Sequence, residues 1–271
     1  MIRSALLLSM IYILMAQPLS AIDPKKEYIN TPDKLGLEYT EMTLLTADET
    51  QLHSWLITPK APMQQITFVI AYGDAGNMSY CLPYAYFLAQ RGYPVLLFDY
   101  RGFGQSANFE INPNQYYYNA FIEDTQTAIA KAKALYPDHR LAVWGFSMGT
   151  LMAGLAYEQT PFDYLIAESF VVQPLACVER IRKEKDKTLE VPAEIAERGT
   201  QLSALPIPIL MINAKNDPIT TTSDCKKFAA EKPKKRKLIT FDGGHLQGAQ
   251  TIGFPTYLET IGNFLKDHPR K

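Results

Sequence analysis

One short motif constrains the fold of this chain more than any other feature. An apolar run, Leu141–Trp144, leads directly into Gly145-Phe-Ser147-Met-Gly149, which is a G-x-S-x-G sequence. Such a sequence turns a strand sharply into a helix, so both glycines are needed to avoid clashes and the serine sits on a strained, exposed backbone. The motif predicts a nucleophilic serine, Ser147, at a strand-to-helix turn. A glycine-rich turn with an incidental serine is the alternative.

Apolar strands alternate with helical segments along the rest of the chain. Residues 37–44 and 52–58 predict an antiparallel hairpin. Further strands are expected at 65–71, 94–100, 141–144, 164–168, 208–213 and 237–241. Helices are expected at 80–90, 116–135, 225–231 and 256–266. Continuous apolar strands divided by helical crossovers favour an α/β fold with a mainly parallel sheet covered by helices on both faces.

The first residues have the composition of an export signal. Arg3 precedes an apolar core at 5–16 that is too short for a confident membrane span. Cleavage is expected after Ala21, and cleavage after Ala16 also fits. We therefore expect an exported protein, periplasmic or secreted, with no membrane span in its mature form. An uncleaved N-terminal membrane anchor is the alternative.

The predicted domain boundaries follow from these patterns. Residues 1–21 are expected to be the signal peptide, 22–36 an N-terminal linker and 37–271 one α/β domain. Within that domain the charged stretch 170–204 has helical spacing and no strand pattern. It is expected to be either a short lid or a simple solvated crossover.

Composition narrows the range of partners. The chain has 27 basic and 28 acidic residues, a net charge of −1, which gives no electrostatic reason to bind nucleic acid. The basic run 232–237 is interpreted as a solvated turn. Cys81, Cys177 and Cys225 have no C-x-x-C spacing and are expected to be buried, with one disulfide as the alternative. The glycosylation sequon at Asn77 is expected to be unused.

A serine nucleophile requires a base and an acid that orients the base. Of the four histidines, only His245 follows the end of a predicted strand, within a glycine-rich loop. Asp217 follows the preceding strand, so both side chains are expected at the edge of the sheet where functional loops collect. Asp242 is expected to point into its turn, and Glu168 is a second choice for the acid. The order Ser147, Asp217, His245 is that of the α/β-hydrolase arrangement.

Acyl transfer also requires backbone N–H groups that bind the oxyanion of the tetrahedral intermediate. The N–H of Met148 is the first candidate, because it follows the nucleophile. The second is the N–H of Asp74 in the loop Tyr72–Asn77, where glycine allows close approach. The carboxylate of Asp74 would have to point away from the oxyanion.

Several ordered motifs together resemble the α/β-hydrolase superfamily, and within it the Bem46-like and serine aminopeptidase-like group. The resemblance covers about residues 37–266, and its marks are Tyr72–Asn77, Asp99–Ser106, Gly145–Gly149, Glu168–Phe170, Asn213–Asp217 and Gly243–His245. It implies that Asp99–Ser106 is a structural loop without a catalytic role. Two features depart from the family pattern. Tyr72 and Asp74 stand where its oxyanion loop has histidine and an uncharged residue, and Asn213-Ala214 stands where the family often has His-Gly.

These observations lead to one expected function and its alternatives. We expect a serine hydrolase that cleaves an ester, thioester or amide of a small-molecule acyl substrate, without a metal or organic cofactor. An acyltransferase or a peptidase would use the same machinery. A catalytically silent hydrolase fold that binds a ligand or partner is the alternative from another class. Tyr116, Tyr117 and Tyr118 are expected either to line an acyl pocket or to pack a helix.

Overall fold

The computed structural model describes residues 21–185 and 189–269. Apart from Ala21, the expected signal peptide at 1–21 lies outside the described residues. No helix among those described is long and apolar enough to cross a membrane. Likewise, the described residues contain no cluster of His, Cys, Asp and Glu suited to hold a metal ion.

An eight-stranded sheet forms the centre of the protein, in the order β10-β9-β8-β7-β4-β6-β3-β2. A separate short pair joins β1 to β5. The strands are β1 (Asp23–Pro24), β2 (Glu38–Leu45), β3 (Gln51–Thr58), β4 (Ile66–Ala71), β5 (Ala75–Gly76), β6 (Val95–Phe98), β7 (Arg140–Phe146), β8 (Tyr164–Glu168), β9 (Ile209–Ala214) and β10 (Arg236–Phe241). From β10 to β6 every neighbouring pair is parallel, whereas β3 is antiparallel to β6 and β2. The predicted hairpin and mainly parallel sheet are confirmed.

The direction of the crossovers reverses once, and this reversal positions the site. The chain passes from β4 towards the hairpin to reach β6, and then returns past β4 to β7 and onwards to β10. Because such crossovers are right-handed, opposite directions place the connecting helices on opposite faces of the sheet. Neighbouring strands β4 and β7 flank the reversal. The loops at their carboxyl ends therefore lie where open α/β sheets bind their ligands.

Helices cover both faces of this sheet. The α-helices are α1 (Leu82–Ala89), α2 (Asn119–Leu135), α3 (Met148–Ala156), α4 (Pro174–Lys185), α5 (Ala193–Gly199), α6 (Thr222–Glu231), α7 (Gly248–Ile252) and α8 (Phe254–Asp267). Short 3-10 helices occupy Asp33–Leu35, Met78–Cys81 and Thr200–Ala204. Helix α1 packs with α8, while α2 packs with α3. Strands β4, β6, β7, β8 and β9 are buried along their length apart from the first residue of β7, as their continuous apolar sequence requires.

Two stretches differ from the sequence-based prediction. Residues 22–36 were expected to be a linker, yet β1 pairs with β5 in the loop that follows β4. Helix α2 begins at Asn119 rather than at 116, because Tyr118 is extended and the Tyr116 N–H donates to the Glu190 carbonyl oxygen at 3.0 Å. Both differences come from long-range backbone hydrogen bonds, which local periodicity does not encode.

Candidate active site

The turn between β7 and α3 has the strained geometry that the G-x-S-x-G sequence predicts. Ser147 has φ 47° and ψ −117°, an unusual backbone conformation for a residue with a side chain. A Cβ atom on Gly145 would lie 2.6 Å from the Thr150 Cα, and one on Gly149 would lie 2.0 Å from the Ala71 carbonyl oxygen. No side chain fits at either position. The glycine spacing is thus a packing requirement of the turn.

Ser147, His245 and Asp217 form one hydrogen-bonded row. His245 Nε2 lies 3.0 Å from Ser147 Oγ, and His245 Nδ1 lies 2.7 Å from Asp217 Oδ2. Strand β9 ends just before the loop that carries Asp217, and β10 ends just before the loop that carries His245. These distances are those of a nucleophile bound to a base that is in turn oriented by an acid. The three side chains that the sequence analysis selected therefore meet at the carboxyl edge of the sheet.

Asp217 is held by a full set of donors. Its Oδ1 accepts the N–H groups of Ile219 and Thr220, both at 2.9 Å, and its Oδ2 accepts the Thr220 hydroxyl at 2.7 Å. Burial alone would raise its pKa, but the hydrogen bonds from His245 and Thr220 outweigh burial and lower the pKa of this carboxyl to about 2. The Asp217 side chain is fully buried, whereas 24% of the His245 side chain is exposed. Asp217 is consequently a fixed anion behind a histidine that solvent reaches.

Ser169 connects the acid with the histidine loop. Its hydroxyl donates to Asp217 Oδ2 at 3.2 Å and accepts the Leu246 N–H at 3.2 Å. Ser169 is fully buried and has a positive φ of 54°. Ser169 lies in the Glu168–Phe170 motif that contributes to the family resemblance, but the sequence pattern predicts no role for it. Its position on the carboxylate oxygen that binds His245 could not be read from sequence spacing.

The two other carboxylates considered as the acid are engaged elsewhere. Glu168 Oε1 accepts the Gly248 N–H at 2.8 Å, and Oε2 accepts the Tyr257 hydroxyl at 2.5 Å. Glu168 thereby ties helices α7 and α8 to the end of β8. Asp242 is exposed and pairs with Lys215 at 2.7 Å. Neither forms a hydrogen bond with His245.

One expected oxyanion donor, Asp74, lies in the loop after β4, and the other, Met148, lies at the start of α3. A Cβ on Gly73 would lie 3.7 Å from the Ser147 Cβ, so the loop after β4 passes close to Ser147. Met148 is the first residue of α3, where a helix N-terminus favours negative charge. Among the described residues, neither the Asp74 N–H nor the Met148 N–H donates a hydrogen bond to a backbone or side-chain acceptor outside a helix or strand.

Tyr72 and Asp74, the two residues of the oxyanion loop that depart from the family pattern, each have a hydrogen-bond partner. The Tyr72 hydroxyl donates to Asp99 Oδ1 at 3.1 Å and accepts the Tyr100 N–H at 3.2 Å. The Tyr116 hydroxyl donates to Asp74 Oδ2 at 2.5 Å. Tyr116 was expected to line an acyl pocket or to pack a helix, and its contact with Asp74 is a third role that spacing did not indicate. The Asp74 carboxylate is thus bound by a tyrosine.

The stretch 170–204 is docked against the residues that precede α2. Gln115 and Glu190 form a parallel bridge, and the Glu190 N–H donates to the Asn114 carbonyl oxygen at 2.6 Å. Asn119 Nδ2 donates to Glu194 Oε2 at 2.5 Å. The Tyr116 N–H binds Glu190 and the Tyr116 hydroxyl binds Asp74, so Tyr116 links the stretch 170–204 to Asp74. Ser147 itself is only 4% exposed.

Comparisons with known proteins give a family match over part of the chain and several relatives. Residues 64–174 match the Hydrolase_4 family model, described as serine aminopeptidase, S33. The uncharacterized protein YfhR of Escherichia coli strain K12 is 28% identical over 247 residues, covering 86% of this chain and 82% of YfhR. Neither the family model nor this relative bears the Bem46 name, so that finer grouping stays a prediction.

Solved structures show the same fold. The Pyrococcus furiosus esterase Pf2001 superposes with a TM-score of 0.72 at 23% identity, covering 90% of this chain and 97% of the esterase. XC6422 from Xanthomonas campestris, an α/β serine hydrolase without a lid, superposes with a TM-score of 0.61 at 15% identity, covering 90% and 99% of the two chains. The sheet order, the strained turn after β7 and these likenesses agree. The chain therefore has the α/β-hydrolase fold.

Proposed function

We propose that this α/β hydrolase is a serine hydrolase that cleaves an ester, thioester or amide through an acyl-enzyme intermediate. The observation that carries the proposal is the row from Ser147 Oγ through His245 to Asp217 Oδ2, at 3.0 and 2.7 Å. A serine hydroxyl is a weak nucleophile at neutral pH, and an oriented imidazole is the group that activates it. Surrounding hydrogen bonds hold Asp217 in the one orientation that serves His245.

The first half-reaction forms the acyl enzyme. Ser147 Oγ attacks the carbonyl carbon while His245 Nε2 takes the hydroxyl proton, and the carbonyl oxygen becomes an oxyanion. The N–H groups of Met148 and Asp74 bind that oxyanion, each contributing on the order of 3 kcal/mol to the transition state. When the intermediate collapses, the imidazolium returns the proton to the leaving alcohol, thiol or amine. Asp217 stays ionised throughout and stabilises the imidazolium.

The second half-reaction releases the acid. Water attacks the acyl carbonyl as His245 takes one of its protons, and a second oxyanion forms in the same place. Collapse of this intermediate returns the proton to Ser147 Oγ and frees the carboxylic acid. An alcohol or amine in place of water would make the protein an acyltransferase, which product analysis with an added alcohol distinguishes.

Covalent labelling tests the proposal directly. A fluorophosphonate probe should add to the native protein, as measured by intact mass, and should not add to Ser147→Ala. Ser223→Ala is the matched control, because Ser223 is an exposed residue of α6 that forms no side-chain hydrogen bond with Ser147, His245 or Asp217. Since Ser147 is only 4% exposed, p-nitrophenyl acetate, with its small acyl group, is the first substrate to assay. A folded native protein that takes no label would contradict the proposal and favour a binding protein.

Export is a separate part of the proposal. The apolar core at 5–16 supports a signal peptide that is removed after Ala21, and an uncleaved anchor remains the alternative. The intact mass of the protein recovered from the expressing cells distinguishes the two. A mass that lacks residues 1–21 supports cleavage at the expected site, whereas the full-length mass in a membrane fraction supports the anchor.

A further inference from the structure

The oxyanion loop is bound along its length by a segment that precedes the first strand of the main sheet. We propose that residues 23–29, here called the strap, together with Asp99, position the oxyanion donors for catalysis. This inference rests on the proposed serine-hydrolase function and adds positioning residues to it. Neither the strap, which was expected to be part of a linker, nor Asp99, which was expected to be structural only, had a role in the sequence analysis.

The first set of contacts joins the strap to the backbone of the loop. Asp23 N–H donates to the Asp74 carbonyl oxygen at 2.8 Å, and Lys25 N–H donates to the Gly76 carbonyl oxygen at 2.9 Å. These bonds belong to the parallel β1–β5 pair. One of the two expected oxyanion donors, Asp74, is thus itself a strap partner. A shift of the strap would move the peptide groups on which the donor depends.

A buried side chain adds a second connection. Asn77 is fully buried, and its Nδ2 donates to the carbonyl oxygens of Lys25 and Glu27 at 2.9 and 2.8 Å. The sequon at Asn77 is therefore committed to the strap, since a glycan on this nitrogen would replace one of the two N–H groups that form these bonds. Ser79 Oγ also accepts the Ile29 N–H at 3.1 Å. The strap follows the loop from Asp74 to the start of α1.

Asp99 holds the two ends of the loop through one oxygen atom. Its Oδ1 accepts the Tyr72 hydroxyl at 3.1 Å and the Met78 N–H at 2.7 Å. Its Oδ2 accepts the hydroxyl of Tyr28, a strap residue, at 2.5 Å. A Cβ on Gly104 would lie 1.8 Å from Asp99 Oδ2, so the backbone of the neighbouring loop closes the remaining side of the carboxylate. Asp99 is completely buried, and both of its carboxylate oxygens accept hydrogen bonds.

These contacts matter for rate because oxyanion donors act mainly in the transition state. Their alignment must hold within about half an ångström to be effective. A loop that has lost its clamp still binds the ground-state ester, but it offers a displaced N–H to the oxyanion. The expected signature is a lower kcat with an unchanged KM.

Two pairs of matched substitutions test the inference. Tyr28→Phe removes the hydroxyl that donates to Asp99 and keeps the ring that packs on Trp55. Tyr39→Phe is its control, because it removes the hydroxyl of another tyrosine that packs on Trp55. Asp23→Pro removes the N–H that binds the Asp74 carbonyl oxygen. Asp23→Ala keeps that N–H and removes only the exposed ion pair with Lys25.

Hydrolysis of p-nitrophenyl acetate by the full chain is measured per active site, counted by fluorophosphonate titration. Tyr28→Phe and Asp23→Pro should lower kcat about tenfold with KM unchanged, and should weaken inhibition by phenylboronic acid, whose serine adduct is a tetrahedral anion, by a similar factor. Tyr39→Phe and Asp23→Ala should match the native protein. If Asp23→Pro does not fold, the Tyr28 and Tyr39 pair decides the question.

The outcomes separate the two proposals. A native protein that takes no label and turns over no ester overturns the proposed function. A native protein that is labelled and active, with Tyr28→Phe and Asp23→Pro equal to their controls, overturns only the role of the strap. A rate that is lower per mass of protein but equal to that of the controls per titrated active site also overturns the role of the strap. The strap would then only stabilise the fold.

Discussion

The Tyr116 hydroxyl donates a hydrogen bond to Asp74 Oδ2 at 2.5 Å. Asp74 is also the residue whose backbone N–H is expected to bind the oxyanion. A free carboxylate in this loop would oppose the negative charge of the transition state. The hydrogen bond from Tyr116 restrains the Asp74 side chain. Its backbone N–H meanwhile binds the Glu190 carbonyl oxygen at 3.0 Å, so the charged stretch 170–204 supports the residue that restrains Asp74.

Removing this restraint should slow hydrolysis, and removing the charge as well should restore it. Tyr116→Phe is expected to lower kcat for p-nitrophenyl acetate about tenfold, because the released carboxylate can approach the oxyanion. The double variant Tyr116→Phe with Asp74→Asn should recover most of the loss. Tyr118→Phe is the control, since that hydroxyl contacts only the backbone of Asn112 among the described residues. A double variant as slow as Tyr116→Phe would show that charge is not the cause.

Ser169 should affect rate more than stability. Loss of its hydroxyl leaves Asp217 Oδ2 and the Leu246 N–H without a shared partner, which loosens the acid relative to the histidine loop. We expect Ser169→Ala and Ser169→Gly each to lower kcat about fivefold at unchanged KM. Glycine adopts the φ of 54° without strain, so the pair separates hydroxyl loss from backbone strain. Equal kcat in both variants and the native protein would refute a positioning role.

Asp217→Asn tests the orientation of the histidine. The amide NH₂ can donate to His245 Nδ1, which places the ring proton on Nε2, facing Ser147. A protonated Nε2 cannot accept the proton of the Ser147 hydroxyl. We expect kcat to fall about 10³-fold to 10⁴-fold and fluorophosphonate labelling to slow in parallel. Asp242→Asn is the control, because Asp242 is exposed and pairs with Lys215. If instead Asp217→Asn kept native rates, another group would have to orient His245.

The low pKa of Asp217 should also make the stability of the fold depend on pH in acid. The folded state lowers the Asp217 pKa from 3.8 to about 2, since hydrogen bonds from His245 and Thr220 outweigh the effect of burial. Because the unfolded chain then binds the proton more readily, the stabilisation is full above about pH 4 and is lost as the pH falls through about 2. A shift of this size corresponds to about 2 kcal/mol. Urea unfolding should show the native protein losing its advantage over Asp217→Asn across that interval.

Thiol chemistry should distinguish buried cysteines from a disulfide. Cys81, Cys177 and Cys225 are all buried and unpaired. Burial is the main cause that raises the pKa of Cys177 and of Cys225 to about 12, and it raises that of Cys81 further. Ellman's reagent at pH 8 should therefore detect almost no thiol in the folded protein and three after denaturation without reductant. Detection of one thiol in the denatured protein would mean that a disulfide has formed.

The nucleophile turn, the strand pattern and the three residues of the hydrogen-bonded row were readable from the sequence. Each has a local signature, because glycine spacing reports a backbone that excludes side chains and alternating elements report a parallel sheet. His245 and Asp217 were identifiable because parallel strands collect their following loops at one edge. These inferences needed only the order of residues along the chain.

The partners of those residues depended on the tertiary structure. Tyr116 lies 42 positions from Asp74, and Tyr28 lies 71 positions from Asp99, yet each pair shares a hydrogen bond at 2.5 Å. No periodicity encodes such a pair, because the contact exists only after the sheet has brought both segments to its edge. The sequence by itself therefore determined the fold class and the reactive groups it presents. Only the tertiary structure decided how those groups are held, since side-chain hydrogen bonds between distant segments follow from packing.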